Sequence, residues 1–143
     1  MKTFILCLSL LVSVSVFAEE KPAVSYRVNL MKSVGGDMGA IGDILKNKMS
    51  ALTPNIENHA VSLNSLSKNL LSAFKENVPG GKSKPEVWKE WAKFEKAARA
   101  FEQKTGNLVE ASRTGDQSKI GAAVKELGET CKGCHTDFRK KDK

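Results

Sequence analysis

The sequence predicts an all-α fold, an antiparallel four-helix bundle. Apolar residues recur at intervals of three and four in four successive segments, which is the period of amphipathic helices. No segment alternates apolar and polar residues with period two, so no strand is predicted. The connections between the segments are short, and short connections favour antiparallel neighbours.

Apolar residues from Leu30 to Leu52 predict the first helix. They recur over about six turns, at Leu30, Met31, Val34, Met38, Ile41, Ile44, Leu45, Met49 and Leu52. Glycines at 35, 36, 39 and 42 interrupt this pattern, and each costs roughly 0.5–1 kcal/mol relative to alanine in a helix interior. We expect another backbone or a flat cofactor to approach closely there. A turn that splits the segment is the alternative.

Thr53-Pro54 predicts the start of the second helix, because threonine caps helix N-termini and proline fits the first turn. Pro79-Gly80-Gly81 is expected to end it. Its apolar face comprises Ile56, Ala60, Leu63, Leu66, Leu70, Leu71 and Phe74.

Ser83 and Glu86 form a capping-box pattern, with Pro85 in the first turn, that predicts the start of the third helix. Its apolar positions are Trp88, Trp91, Phe94, Ala98, Phe101 and Leu108. Gly115 is expected to end this helix and Asp116 to cap the fourth. The stripe of the fourth helix that faces the core comprises Ile120, Ala123, Val124, Leu127, Cys131, Cys134 and Phe138.

The segment 131–135 reads Cys-Lys-Gly-Cys-His, a C-x-x-C-H motif. Two thiols three residues apart on a helix face the same way and can form thioethers with the two vinyl groups of a haem. The histidine that follows, His135, then presents its imidazole to the iron. The motif therefore predicts one covalently attached haem c, held through Cys131 and Cys134.

Two haem-free alternatives remain, each of which would make the chain a helical interaction module. A structural zinc site needs a fourth ligand, and the only other histidine is His59. A dithiol or disulfide motif is typical of a βαβ context, which this sequence does not show.

Other polar and aromatic residues have ordinary structural explanations. His59 lies near the apolar stripe of the second helix and is interpreted as a boundary residue rather than a second iron ligand. Trp88 and Trp91 are interpreted as packing residues without a redox role. Glu90 and Glu95 are interpreted as surface charges, and without a general acid–base constellation no enzyme is expected.

Residues 1–18 predict a cleaved secretory signal peptide. They combine an early lysine, an apolar run from Phe4 to Phe17 and small residues before a cleavage point after Ala18. The run is too short to favour a spanning helix, although an uncleaved anchor is the alternative. Cys7 would be lost with the signal. An exported, periplasmic protein without a membrane anchor is expected.

Residues 19–143 are long enough for one domain and too short for two. The chain has a formal net charge of +7 at pH 7. This charge is spread along the sequence without the aromatic interleaving used to stack bases, so no nucleic-acid partner is expected.

Three stretches carry a specific family resemblance. Residues 26–32 read Tyr-Arg-Val-Asn-Leu-Met-Lys and lead into Gly-Asp-Met-Gly-Ala-Ile-Gly at 36–42; residues 84–88 read Lys-Pro-Glu-Val-Trp; and Cys-Lys-Gly-Cys-His-Thr-Asp-Phe-Arg stands at 131–139. Together they resemble the cytochromes c′, the class II c-type cytochromes. Class I cytochromes c place C-x-x-C-H near the N-terminus instead. The resemblance implies a homodimer formed through the first two helices.

The resemblance also assigns site residues. It makes Cys131 and Cys134 the thioether anchors and His135 the proximal iron ligand. Arg27 corresponds to an arginine that approaches a haem propionate, with an exposed helix arginine as the alternative. Arg139 resembles a basic residue beside the proximal pocket, although a cation is favourable in any last helical turn.

Met31 distinguishes two functions. It corresponds to the apolar distal residue that blocks the sixth iron position in cytochromes c′, and to the methionine ligand of their low-spin class II relatives. We favour a five-coordinate, high-spin iron that binds NO or CO and exchanges electrons with a redox partner that the sequence does not identify, because Arg27, four residues earlier, matches the cytochrome c′ pattern. The alternative is a low-spin Met/His electron carrier.

Overall fold

The computed structural model describes residues 21–141, so the predicted signal peptide, its cleavage site and Cys7 lie outside the described residues. In chain order the helices are α1 Pro22–Lys46, α2 Asn55–Ser67, α3 Leu70–Phe74, α4 Glu86–Lys89, α5 Trp91–Arg113 and α6 Gln117–Phe138. A 3-10 turn at Ser50–Leu52 precedes α2. The predicted all-α four-helix bundle is confirmed: α1, α2 with α3, α4 with α5, and α6 form its four arms.

The first arm begins earlier and ends earlier than predicted. Helix α1 stops at Lys46; the backbone N–H of Asn47 donates to the carbonyl of Asp43 at 3.0 Å, and that of Lys48 donates to the carbonyl of Leu45 at 3.4 Å. Lys48 then adopts a left-handed conformation with φ 51°. A left-handed residue turns the chain out of a helix. The predicted continuation through Leu52 is therefore wrong, and Leu52 is 41% exposed.

The glycines of α1 do not mark a close approach within the described chain. A Cβ added at Gly35, Gly36, Gly39 or Gly42 would meet nothing within 4 Å. The expected approach of another backbone is therefore wrong for residues 21–141, and the alternative of a turn is wrong as well. The helix continues through the glycines because its other face buries Leu30, Val34, Ile41 and Ile44.

The second and third arms are each interrupted. Between α2 and α3 the Ser67 hydroxyl donates to the carbonyl of Asn64 at 2.7 Å, a local bond that competes with the helical ladder. Between α4 and α5, Glu90 leaves the helical region with φ −115° and ψ 45°. The single helices predicted at these two places are therefore wrong.

The predicted helix caps have opposite outcomes. No side chain caps α4, and Ser83 instead forms an isolated antiparallel bridge with Arg139, so the predicted capping box is wrong. Asp116 does cap α6: its Oδ1 accepts from the backbone N–H groups of Ser118 and Lys119 at 2.9 and 3.2 Å. Gly115, with φ 66°, ends the preceding arm as expected.

Within the described part of the chain, two clusters form the core. The larger is mainly aliphatic and runs along the bundle, and its fully buried members include Ile41, Ile56, Leu63, Leu108, Ile120 and Leu127. The smaller cluster comprises Phe74, Val87, Phe94 and Phe138. Within it the ring centroid of Phe94 lies 5.1 Å from that of Phe74 and 5.3 Å from that of Phe138.

The two ends of the bundle differ in chemistry. We call the end that holds the smaller cluster the aromatic end. At the opposite, polar end the helices are joined by side-chain contacts: Arg113 Nε lies 3.3 Å from Glu57 Oε1, and Gln117 Nε2 donates to Thr53 Oγ1 at 3.3 Å. Over residues 21–141 no helix has the length and apolar character that crossing a membrane requires.

Candidate functional site

The last turns of α6 place both cysteines of the motif against the core. Cys131 is half-buried and packs on the aliphatic cluster, whereas Cys134 is half-buried and packs on the aromatic cluster. The two thiols are free in this structure. They therefore span the junction between the two clusters, on the core-facing stripe that the periodicity predicted.

Both thiols are held in their neutral form. Burial raises the pKa of Cys131 above its ordinary value. Burial also raises the pKa of Cys134 to about 11, and the negative charges of Cys131 and Asp137 add to the rise. Reactive dithiols have lowered pKa values. These surroundings are therefore unlike those of a redox dithiol.

His135 lies on the outer side of the same turn. The residue is exposed as a whole, but partial burial of its ring lowers the pKa of the imidazole, and the positive charge of Arg139 lowers it further. The neutral imidazole is therefore the form favoured near pH 7, and this is the form that ligates metals. The backbone N–H of Arg139 donates to the carbonyl of His135 at 3.1 Å, and the extended conformation of Arg139, with φ −112° and ψ 133°, ends α6.

Arg27 is a buried cation with unused donors. It is only 3% exposed, and its guanidinium lies over the rings of Phe74 and Trp88, at 5.1 and 5.3 Å from their centroids. Its Nη2 donates to the carbonyl of Val78, but Nε and Nη1 are buried without a hydrogen-bond partner. Burial lowers the pKa of Arg27, and the charge of Glu76 opposes this shift.

The two orphaned donors of the buried Arg27 guanidinium would suit an anion. Buried polar atoms are nearly always hydrogen-bonded, and an arginine fork matches a carboxylate. A haem propionate supplies such a carboxylate, so the residues present fit the group that the sequence predicts. The alternative of an exposed helix arginine at Arg27 is wrong.

The loop after α3 ties Arg27 to the end of α6. Val78, the acceptor for Arg27, lies in this loop, and Trp88 Nε1 donates to the carbonyls of Phe74 and Glu76 at 2.9 and 3.1 Å. Further along, the N–H of Lys84 donates to the carbonyl of Phe138 at 2.9 Å. The predicted packing role of Trp88 is confirmed by these contacts. The structure thus brings Arg27 and the C-x-x-C-H turn to the aromatic end.

Met31 follows Arg27 by one turn of α1. It is half-buried and packs on the aliphatic cluster, as Cys131 does from α6. The structure therefore places Met31 and Cys131 on one cluster, and Arg27 and Cys134 beside the other.

His59 is engaged away from the cysteine motif. Its Nδ1 lies 2.8 Å from Asp37 Oδ1, and the hydroxyl of Ser62 donates to Asp37 Oδ2 at 2.6 Å. Its interpretation as a half-buried boundary histidine is confirmed. Glu90 and Glu95 pair with Lys93 and Arg99 respectively, as expected of surface charges.

The sequence analysis did not predict which residues surround Arg27. Phe74 and Trp88 were read as members of two apolar stripes, and Val78 was not singled out. A signal was present: Val24, Arg27, Leu30 and Val34 share one stripe of α1, and all four are buried. An arginine in such a stripe is either paired or directed at a ligand.

Comparisons with known proteins agree with this geometry. A family profile described as cytochrome C′ matches residues 22–139. Cytochrome c′ of Alcaligenes xylosoxydans xylosoxydans is 30% identical over 125 residues, which cover 87% of this chain and 98% of that protein. Cytochrome c′ of Rhodospirillum rubrum is 32% identical, with 85% and 84% covered. A protein named cytochrome c-556, from Agrobacterium tumefaciens, is 29% identical, with 82% and 97% covered.

Solved structures show the same similarity. A ferrous variant of cytochrome c prime from Alcaligenes xylosoxidans with bound NO has a TM-score of 0.78 and 29% identity, covering 84% of this chain and 94% of that one. A carbon monoxide-bound variant of the same protein has a TM-score of 0.78 and 30% identity, covering 83% and 94%.

Proposed function

Because this chain belongs to the cytochrome c′ family, we propose that it is an exported haem protein whose iron is ligated by His135 and binds NO or CO on the opposite side. Proteins of this family hold one covalently attached c-type haem. They bind gases and carry electrons and are not enzymes. The solved relatives with bound NO or CO support the assignment of a gas ligand.

One observation carries the proposal: the two orphaned donors of Arg27 lie at the same end of the bundle as the thiol pair. Cys131 and Cys134 would hold the haem through thioethers, and Nε and Nη1 of Arg27 would bind a propionate. A haem bound there supplies an iron that takes up a diatomic ligand and gains or loses one electron.

The residues on the two sides of the iron would act differently. The neutral imidazole of His135 would donate its lone pair to the iron. Met31 would fill the distal space as an apolar, flexible side chain and would move aside for a gas. The iron would then remain five-coordinate and high-spin.

The second candidate function is electron transfer by a low-spin iron. Met31 carries a thioether that could ligate the iron, and relatives named cytochrome c-556 match over most of this chain. A Met/His pair would close the iron to gases and raise its reduction potential.

Export and dimerisation also belong to the proposal. Residues 1–18 would be removed, so mass spectrometry should find a chain that begins at Glu19 and carries one haem. The open faces of Gly35 and Gly39 on α1, together with the 44% exposed Val61 on α2, support a homodimer through these helices. Sedimentation should give twice the monomer mass; a monomer, or a chain that retains Cys7, would contradict these points.

The test of the attachment is visible absorption before and after acid–acetone extraction. The mature protein should show a Soret band that stays with the polypeptide. In a Cys131→Ala, Cys134→Ala double variant the haem should become fully extractable, because both thioethers are gone. A Thr130→Ser variant, next to the motif, is the control and should retain its haem. Extractable haem in the unaltered protein would rule out these cysteines as anchors.

A further inference from the structure

The Arg27 guanidinium is held by three contacts that come from one stretch of the chain. Its Cζ lies 5.1 Å from the ring centroid of Phe74 and 5.3 Å from that of Trp88. Its Nη2 donates to the carbonyl of Val78. Arginine stacks on aromatic faces, and burial strengthens the attraction between the cation and the ring. We call Phe74, Val78 and Trp88 the Arg27 clamp.

The indole of Trp88 is itself fixed by two hydrogen bonds. Its Nε1 donates to the carbonyl of Phe74 at 2.9 Å and to the carbonyl of Glu76 at 3.1 Å. The ring that lies over Arg27 therefore also holds segment 74–78, which supplies the other two contacts. Loss of this indole would loosen all three members of the clamp.

The loop that carries Val78 lies directly on α1. A Cβ added at Gly80 would be only 2.6 Å from Cγ2 of Val24, which stands three residues before Arg27 on α1. Non-bonded carbon atoms prefer separations of about 3.5–4.0 Å, so the loop can approach α1 this closely because glycine has no Cβ. The close approach keeps the Val78 carbonyl beside the guanidinium.

We propose that Trp88 is a positioning residue for the haem: through the Arg27 clamp it keeps the guanidinium beside a propionate, and this fixed positive charge raises the reduction potential of the iron. The inference rests on the proposed function, since it requires a haem at Cys131 and Cys134. Reduction lowers the charge of the haem by one, so a cation held nearby favours the ferrous form. In this role Trp88 carries no electron and acts through Arg27.

The test is a double-mutant cycle on the haem-loaded protein, with the midpoint reduction potential measured by spectroelectrochemistry. The variants are Trp88→Leu, Arg27→Met and the two combined. The matched control is Trp91→Leu, because it removes an indole from the same aromatic cluster, where the Trp91 ring lies 5.6 Å from that of Phe94. A further variant, Trp88→Phe, keeps an aromatic face but loses both Nε1 hydrogen bonds. Thioethers keep the haem on the chain in every variant.

Trp88→Leu should lower the equilibrium constant for reduction by on the order of 10-fold, because a unit charge is no longer held in a buried site. For one electron that change equals about 59 mV. Trp88→Phe should lower it by about 3-fold, because part of the contact between cation and ring remains. The control should stay within about 2-fold, and so should Trp88→Leu when it is added to Arg27→Met, because no guanidinium is left to position.

A second measurement follows the clamp without using the potential. Hydrogen exchange of the Arg27 Nε–H is recorded by NMR in the ferrous, CO-bound protein. A guanidinium held in one buried position should give a slowly exchanging signal. Trp88→Leu should abolish this signal, and Trp91→Leu should leave it in place.

Two results would overturn the inference. Equal decreases in Trp88→Leu and Trp91→Leu would show that the potential follows aromatic packing in general. A full effect of Trp88→Leu in the Arg27→Met background would show that Trp88 does not act through Arg27. Where Trp88→Leu loses its helical circular dichroism, Trp88→Phe takes its place in the cycle and the same two results decide.

Failure of the inference and failure of the proposed function give different readings. A mature protein without a Soret band would contradict the proposed function. A haem-loaded protein whose potential is the same with and without the Trp88 indole would contradict this inference alone.

Discussion

Two buried polar sites in this bundle differ in whether the chain itself supplies hydrogen-bond partners for all of their polar atoms. Between α2 and α5, Thr105 is fully buried; its Oγ1 donates to the carbonyl of Glu102 at 2.7 Å and accepts from Asn64 Nδ2 at 3.1 Å. Ser67 Oγ lies 3.2 Å from the same atom. Arg27 is equally buried, yet two of its nitrogens have no partner. The first site is complete within the polypeptide, whereas the second leaves two donors of Arg27 for the propionate that we propose.

The largest effect is expected from Arg27→Met in the haem-loaded protein. Removing one partner of a buried charge pair leaves the propionate unpaired and should lower the free energy of unfolding by about 3–5 kcal/mol. In the Cys131→Ala, Cys134→Ala background, refolded after its haem has been extracted, the loss should be about 1 kcal/mol, because the two orphaned donors disappear together with the contacts to Phe74 and Trp88. Guanidinium unfolding measures both values, and equal losses would show that Arg27 has no anionic partner.

The haem-free mature polypeptide should show protected thiols. With a pKa of about 11, Cys134 carries about 100-fold less thiolate at pH 8 than a thiol of pKa 9.0, so alkylation by iodoacetamide should be slower by that factor. Because folding raises this pKa, the Cys134 contribution to the free energy of unfolding is greatest below pH 9. It decreases as the pH rises through about 11. Cys134→Ser should remove this loss, and rapid alkylation of Cys134 at pH 8 would place its thiol in water.

The smallest of these effects is expected at the satisfied site. Thr105→Val removes a shared partner of Asn64 and Ser67 and should destabilise the protein by about 1–3 kcal/mol. The loss should be the same with and without haem, because every contact of this site is made by the polypeptide. Denaturant unfolding of both forms measures this loss of unfolding free energy. A loss that depended on haem would mean that the Thr105 site, like Arg27, responds to the cofactor.

The predictable parts of the molecule are those fixed by local pattern. Helical periodicity places Cys131 and Cys134 on the inner stripe of α6, and Asp116 caps that helix as its position suggests. The burial of Arg27 depends on Phe74 and Trp88, which are distant in sequence and converge only in the folded bundle. Periodicity carries no information about such convergence.

Breaks in the helices are set by similar non-local effects. Apolar spacing continues through Lys68 and through Glu90, so periodicity predicted unbroken helices at both places, whereas the structure interrupts each one. The glycines of α1 show the opposite error, in which a pattern predicts a contact that the described chain does not make. Their number suggested crowding, yet they lie on a face where an added Cβ meets no atom within 4 Å.

The most direct test of the central claim is the spin state and CO affinity of the mature protein and its Met31→Ala variant. If Met31 only fills the distal space, both proteins should be high-spin. CO should bind the variant about 5- to 150-fold more tightly, because displacing a packed side chain costs about 1–3 kcal/mol. A low-spin resting spectrum that becomes high-spin in Met31→Ala would contradict the account and establish Met31 as an iron ligand.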